Sequence, residues 1–131
     1  MLMDRHYDLT YINEVFQGNE TMVQQIVRLF LEQSPVFRRE MTECIRRGQW
    51  CELHPIAHKL KSSVKMLGMT GLMPLVVEIE RKSKFGEDVI TLPQLVSELN
   101  GMLESLCITL THDLHEVSQS SSVGQVRLRR A

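Results

Sequence analysis

Basic and hydroxyl side chains follow one histidine in the middle of the sequence at helical spacing. His58 is followed by Lys61, Ser62 and Lys65. At about 100° per residue, these four positions fall within an arc of about 100° on a helix. Positive charge beside an imidazole favours its neutral, nucleophilic form, and the same ammonium groups can stabilise a transferred phosphoryl group. The pattern therefore predicts an exposed histidine that accepts a phosphoryl group by in-line attack.

Two other interpretations of this helix remain open. Cys51, His54 and His58 share one helical face and are side-chain types that bind zinc, although the neighbouring lysines would repel a cation. The second alternative is a non-catalytic helical adaptor. Its binding surface would use the soft methionine side chains between positions 66 and 73.

Apolar side chains recur with helical spacing along most of the chain, and no segment alternates as a β-strand does. We predict helices over residues 9–16, 20–47, 50–67, 72–85 and 91–115. Asp8, Asn19 and Thr91 are the predicted N-caps, and Pro35 is expected to kink the second helix or to divide it. The predicted fold is all-α, an antiparallel up-and-down four-helix bundle with a short additional N-terminal helix.

The chain has 131 residues, a formal net charge of -1 and 43% hydrophobic residues, which fits a single domain. We predict that residues 1–115 form this domain and that residues 116–131 are a disordered tail. The charge balance argues against nucleic-acid binding, and no apolar run is long enough to cross a membrane. Three scattered cysteines and the absence of a signal-peptide pattern indicate a cytoplasmic protein.

The segment from Ala57 to Gly68, Ala-His-Lys-Leu-Lys-Ser-Ser-Val-Lys-Met-Leu-Gly, resembles the signature of the histidine-containing phosphotransfer (HPt) domain. That signature reads Ala-His-x-Leu-Lys-Gly-Ser, with a glycine ten residues after the histidine. The similarity extends over about residues 8–110. Ser62 departs from it, because the family usually has a glycine there, and Lys65 stands where a small residue is usual.

The resemblance implies that His58 is the phosphorylated residue and that Lys61 is its supporting cation. It also implies that Glu80, on the neighbouring helix, lies near the site and that Gly68 has a structural role. The expected contacts to the phosphoryl group or to the receiver domain are Ser62, Lys65 and Glu80.

The sequence contains no glycine-rich phosphate loop and no aspartate cluster for Mg²⁺, so we expect no ATP site. The resemblance implies a carrier that accepts a phosphoryl group from a receiver-domain aspartate and passes it to another receiver in a phosphorelay. Expected partners are response-regulator receiver domains and a hybrid sensor histidine kinase, with neither nucleic acid nor membrane. We expect a monomer without a cofactor, because Mg²⁺ would belong to the partner receiver. Whether such a carrier is an enzyme stays open.

Overall fold

The computed structural model describes the backbone of residues 7–119 and the side chains of residues 7–115. Its elements are α1 (Thr10–Val15), α2 (Glu20–Arg47), α3 (Trp50–Met66), α4 (Met73–Phe85), a 3₁₀ turn (Val89–Thr91) and α5 (Leu92–Gln119). The described part of the chain is therefore all-helical, as predicted. None of its helices combines the length and the apolar character needed to cross a membrane.

Local signals set several helix ends. The Asn19 side chain caps α2 by accepting a hydrogen bond from the Met22 N–H at 3.1 Å. Gly48 and Gly86 follow α2 and α4 in the left-handed conformation that commonly ends a helix. The N-cap of α1 lies one residue after the predicted one, Asp8. Leu9 is the N-cap residue of α1, while the Asp8 carboxylate accepts from the Thr10 N–H at 2.9 Å.

One predicted division and one predicted end of the long helices are wrong. Pro35 does not divide α2, which is one continuous helix of 28 residues with Pro35 inside it. A proline removes one backbone donor, and α2 is anchored on both sides of it by buried Phe30 and Phe37. The predicted end of α5 near His115 is also wrong, because the helix runs to Gln119. Residues 116–119 contain neither a glycine nor a proline that would end the helix. Residues 120–131 of the predicted tail lie outside the described part.

The four long helices surround one apolar core. Both α3 and α5 pack against α2 and α4, and α1 lies against α2. Along α2 and α5, Asn100 Nδ2 lies 3.1 Å from Thr42 Oγ1, and Glu104 Oε1 lies 4.0 Å from Arg38 Nη1. Residue numbers therefore rise along α2 as they fall along α5 at this contact, so the two helices run in opposite directions.

A close approach of two backbone segments fixes the turn after α3. Gly68 has φ +62, and a Cβ at this position would lie 2.2 Å from the Asp8 carbonyl oxygen. The Asp8 N–H donates to the Leu67 carbonyl oxygen at 3.1 Å, which holds the two segments together. Only glycine suits both this backbone conformation and this spacing. Gly68 thereby allows the end of α3 to lie against the segment that precedes α1.

The connection from α4 to α5 is held by Lys82. Its ammonium group lies 3.2 Å from Asp88 Oδ2 and donates to Thr91 Oγ1 at 2.7 Å. The Thr91 hydroxyl donates in turn to the Asp88 carbonyl oxygen at 2.8 Å, and the Gln94 side chain pairs with Glu98. Thr91 directly precedes α5, but the spacing of Thr91 and Gln94 that predicts a capping box is not used, because the two side chains bind Lys82, Asp88 and Glu98 instead.

Candidate functional site

The α3 helix buries one face and exposes the face that carries His58. Leu53, Ala57, Leu60 and Val64 of this helix are fully buried in the core. The His58 side chain is 63% exposed. Helical spacing therefore places the imidazole at the surface while its neighbours anchor the backbone.

Glu80 of α4 contacts two members of this exposed face. Its Oε2 lies 2.6 Å from His58 Nδ1, and its Oε1 lies 2.6 Å from Lys61 Nζ. The hydrogen bond from Lys61 has the largest effect on the pKa of Glu80 and lowers it. Burial raises this pKa, and the hydrogen bond from His58 lowers it again, so the pKa of Glu80 lies below its usual range. The carboxylate is therefore ionised at neutral pH.

The ionised carboxylate determines where the proton of a neutral His58 ring resides. A carboxylate only accepts hydrogen bonds, so His58 Nδ1 must donate to Glu80. In the neutral tautomer Nε2 then carries the free lone pair. The exposed imidazole is thus oriented through one nitrogen and can act as a nucleophile through the other.

The other predicted contact residues lie at the margin of this cluster. Ser62 lines a groove between α2 and α3, and Lys65 is exposed. Within the described residues, neither side chain forms a hydrogen bond or an ion pair with His58 or Glu80. The structure therefore brings together His58, Glu80 and Lys61 and leaves Ser62 and Lys65 outside their contacts.

His54 belongs to this cluster in a way that the sequence did not indicate. Its Nε2 lies 3.8 Å from Glu80 Oε2, and its ring centroid lies 6.2 Å from that of His58. Helical spacing placed His54 beside His58, but the contact with Glu80 depends on how α3 and α4 are aligned. Across residues 7–115, no three His, Cys, Asp or Glu side chains are arranged to hold a metal ion, so the zinc interpretation with Cys51 finds no support.

The methionines behind the proposed adaptor surface are used in packing. Met69 is fully buried, and Met66 and Met73 are partly buried against the core. Because these side chains are used in core packing, the structure gives no support to a methionine-rich binding surface.

A family model described as the Hpt domain matches residues 25–119. The match includes most of α2 and all of α3, α4 and α5. It therefore contains Glu80 and the three side chains near it, His54, His58 and Lys61. Searches of the curated proteins and of the solved structures returned no match. Hpt domains act in histidine phosphotransfer within two-component phosphorelays, where they interact with receiver domains and kinases. Because the match covers well over half of its length, the chain belongs to the Hpt domain family.

Proposed function

We propose that this chain is a histidine phosphotransfer protein in which His58 accepts a phosphoryl group from a receiver-domain aspartate and passes it to a second receiver. The observation that carries this proposal is the double contact of Glu80, with His58 Nδ1 and with Lys61 Nζ, both at 2.6 Å. This contact orients an exposed imidazole and leaves Nε2 as its nucleophilic nitrogen.

The transfer needs no proton movement on His58. The Nε2 lone pair attacks phosphorus, an N–P bond forms, and the P–O bond to the aspartate breaks with its electron pair remaining on the departing carboxylate. Nδ1 keeps its proton, so the phosphorylated ring carries a positive charge. Glu80, which already accepts from Nδ1, stabilises this charge through a charge-assisted hydrogen bond. Attack by a second receiver aspartate reverses these bond changes.

Lys61 supports the phosphoryl group in this mechanism. Its side chain is 37% exposed although it is paired with Glu80, so its ammonium group remains accessible beside the imidazole. An ammonium group there can donate hydrogen bonds to the phosphoryl oxygens and stabilise their negative charge. Ser62 and Lys65 lie further along the exposed side of α3, and we assign them to contacts with the phosphoryl group or the docked receiver.

The packing of the helices supports the proposed bundle topology. Opposite directions of α2 and α5, together with the short connection between α2 and α3, support an antiparallel up-and-down four-helix bundle with α1 as the additional N-terminal helix. We propose a monomeric carrier that acts in the cytoplasm, where its partners are response-regulator receivers and a hybrid sensor kinase.

Transfer from receiver domains tests the assignment of His58. A panel of receivers carrying a labelled aspartyl phosphate is mixed with the wild-type chain, with His58→Gln and with His112→Gln. The control replaces another exposed histidine, located on α5. We expect acid-labile, base-stable label in the wild type and in His112→Gln, and none in His58→Gln. Label that persists in His58→Gln would exclude His58 as the acceptor.

A further inference from the structure

A groove on α5 takes no part in the transfer mechanism above. It runs between α5 and the turn that precedes α4, and it has a volume of about 460 Å³. Clefts that bind small ligands have volumes of about 300–1,000 Å³. The lining is mostly apolar and includes Leu72, Gly101, Met102 and Leu106. The groove is therefore suited to apolar side chains.

Two glycines of this lining are not required by the packing of the described residues. A Cβ at Gly101, inside α5, would meet no described atom within 4 Å, and a Cβ at Gly71 would meet only Met102 Cε, at 3.9 Å. Neither glycine has a positive φ. Glycine inside a helix is destabilising relative to alanine. The close approach of another chain segment to α5 would account for the glycine at position 101.

The first residues of the chain join the described part near this groove. Tyr7 is buried, and its hydroxyl donates to the carboxylate of Asp113 on α5. Asp113 lies seven residues, or about 10 Å, beyond Leu106 at the end of the groove. The Asp8 N–H donates to the Leu67 carbonyl oxygen, just before the turn that lines the groove. The residues before Tyr7 therefore start from a fixed point close to the groove.

The length and the composition of this first segment match the groove. Six extended residues span at most about 20 Å. Residues 4–6 can cover the distance of about 10 Å from Tyr7 to the groove, and the apolar residues Met1, Leu2 and Met3 can then lie over it. Methionine side chains adapt to irregular apolar surfaces, and their burial removes apolar surface from water.

We propose that Met1, Leu2 and Met3 dock in the groove between α5 and the turn before α4, and that they hold this turn against α5. The residues at the other end of the chain start farther away. They follow Gln119, which lies about 20 Å beyond Leu106 along α5.

Methyl NMR of the full chain, labelled with ¹³C at methionine, leucine and valine methyl groups, identifies the occupant. We expect NOE contacts from the methyl groups of residues 1–3 to the methyl group of Met102. They should be lost in Gly101→Leu, because the new side chain fills the groove. Thr111→Leu, at an exposed position of α5 outside the groove, should retain them.

Other occupants would give different contacts in the same experiment. Contacts to Met102 from residues 120–131, or contacts between differently labelled copies of the chain, would overturn the proposal. The absence of contacts from residues 1–3 to Met102 would overturn it as well.

A second test compares Gly101→Ala in the wild-type chain and in a full-length chain that carries Leu2→Gln and Met3→Gln. Once the polar side chains release the segment, alanine should lower the unfolding equilibrium constant in urea experiments by about fivefold, as it does at an open helix position. The change should be smaller in the wild type, because the new Cβ meets the docked segment.

Gly48→Ala is the control for this comparison, because Gly48 lies at the other end of α3. It should change the unfolding equilibrium constant by the same factor in both chains. Equal effects of Gly101→Ala in the two chains would refute the docking of residues 1–3.

Discussion

Replacing Gly68 with alanine should destabilise the fold much more than the same change at Gly48. Both glycines have left-handed backbone, with φ +62 and +67, and each alanine would incur about 1–2 kcal/mol for that conformation. A Cβ at Gly48 meets no atom within 4 Å. At Gly68 it would lie 2.2 Å from the carbonyl oxygen and 2.8 Å from the Cβ of Asp8, so one backbone segment must move.

The required movement gives the additional cost at Gly68. Displacing Asp8 breaks its N–H hydrogen bond to the Leu67 carbonyl oxygen, a loss of about 0.5–1.5 kcal/mol. It also disturbs the packing of Tyr7 and Leu9, which flank Asp8 and are both buried. We therefore expect a loss of unfolding free energy of about 3 kcal/mol for Gly68→Ala and about 1–2 kcal/mol for Gly48→Ala.

Urea unfolding, followed by circular dichroism at the helical minimum, measures both losses under the same conditions. Gly48→Ala is the matched control, because it has the same backbone conformation without the steric contact. Equal losses in the two variants would refute the inference that the approach of Asp8 is what requires a glycine at position 68.

Three further predictions concern buried and charged groups. Tyr7→Phe removes the hydroxyl that donates to the buried Asp113 carboxylate and should lower the unfolding free energy by about 1–3 kcal/mol. The control, Tyr11→Phe, changes an exposed tyrosine and should leave the unfolding free energy nearly unchanged. Urea unfolding of the two variants measures the difference. Because the pKa of Glu80 is lowered in the folded chain, its ionised form stabilises the fold above its ordinary value of 4.5, and this contribution is lost as the pH falls through the lower, folded value. The difference in unfolding free energy between the wild type and Glu80→Gln should therefore be larger at pH 7 than at pH 3, and a difference independent of pH would contradict this. Lys61→Gln should slow phosphoryl acceptance by about tenfold, as expected for the loss of one charge-assisted hydrogen bond, and an unchanged transfer rate would remove Lys61 from the mechanism.

Features controlled by neighbouring residues were predictable from the sequence. Asn19 and Gly48 mark the ends of α2 because a side-chain cap and a left-handed glycine act over one turn. The exposed position of His58 follows from helical spacing alone. A division of α2 at Pro35 was wrongly allowed because the local rule considers one lost hydrogen bond and not the packing that holds the helix on either side of it.

Features that join distant segments were not accessible to local patterns. The requirement for glycine at position 68 comes from Asp8, which is close in space and far away in sequence. Glu80 was expected near His58 only through the resemblance to a family, and its second contact with Lys61 depends on the alignment of α3 and α4. The same alignment brings His54 to Glu80, and spacing along one helix does not specify it.

The nitrogen of His58 that carries the phosphoryl group tests the central claim most directly. The full chain, labelled with ¹⁵N at histidine, is phosphorylated by an aspartyl-phosphorylated receiver, and ³¹P–¹⁵N coupling identifies the bonded nitrogen. Because Glu80 holds the proton on Nδ1, we predict coupling to Nε2 of His58 and to no other nitrogen. A phosphoryl group on His58 Nδ1, or on another residue, would contradict the role of Glu80 as the group that orients the nucleophile.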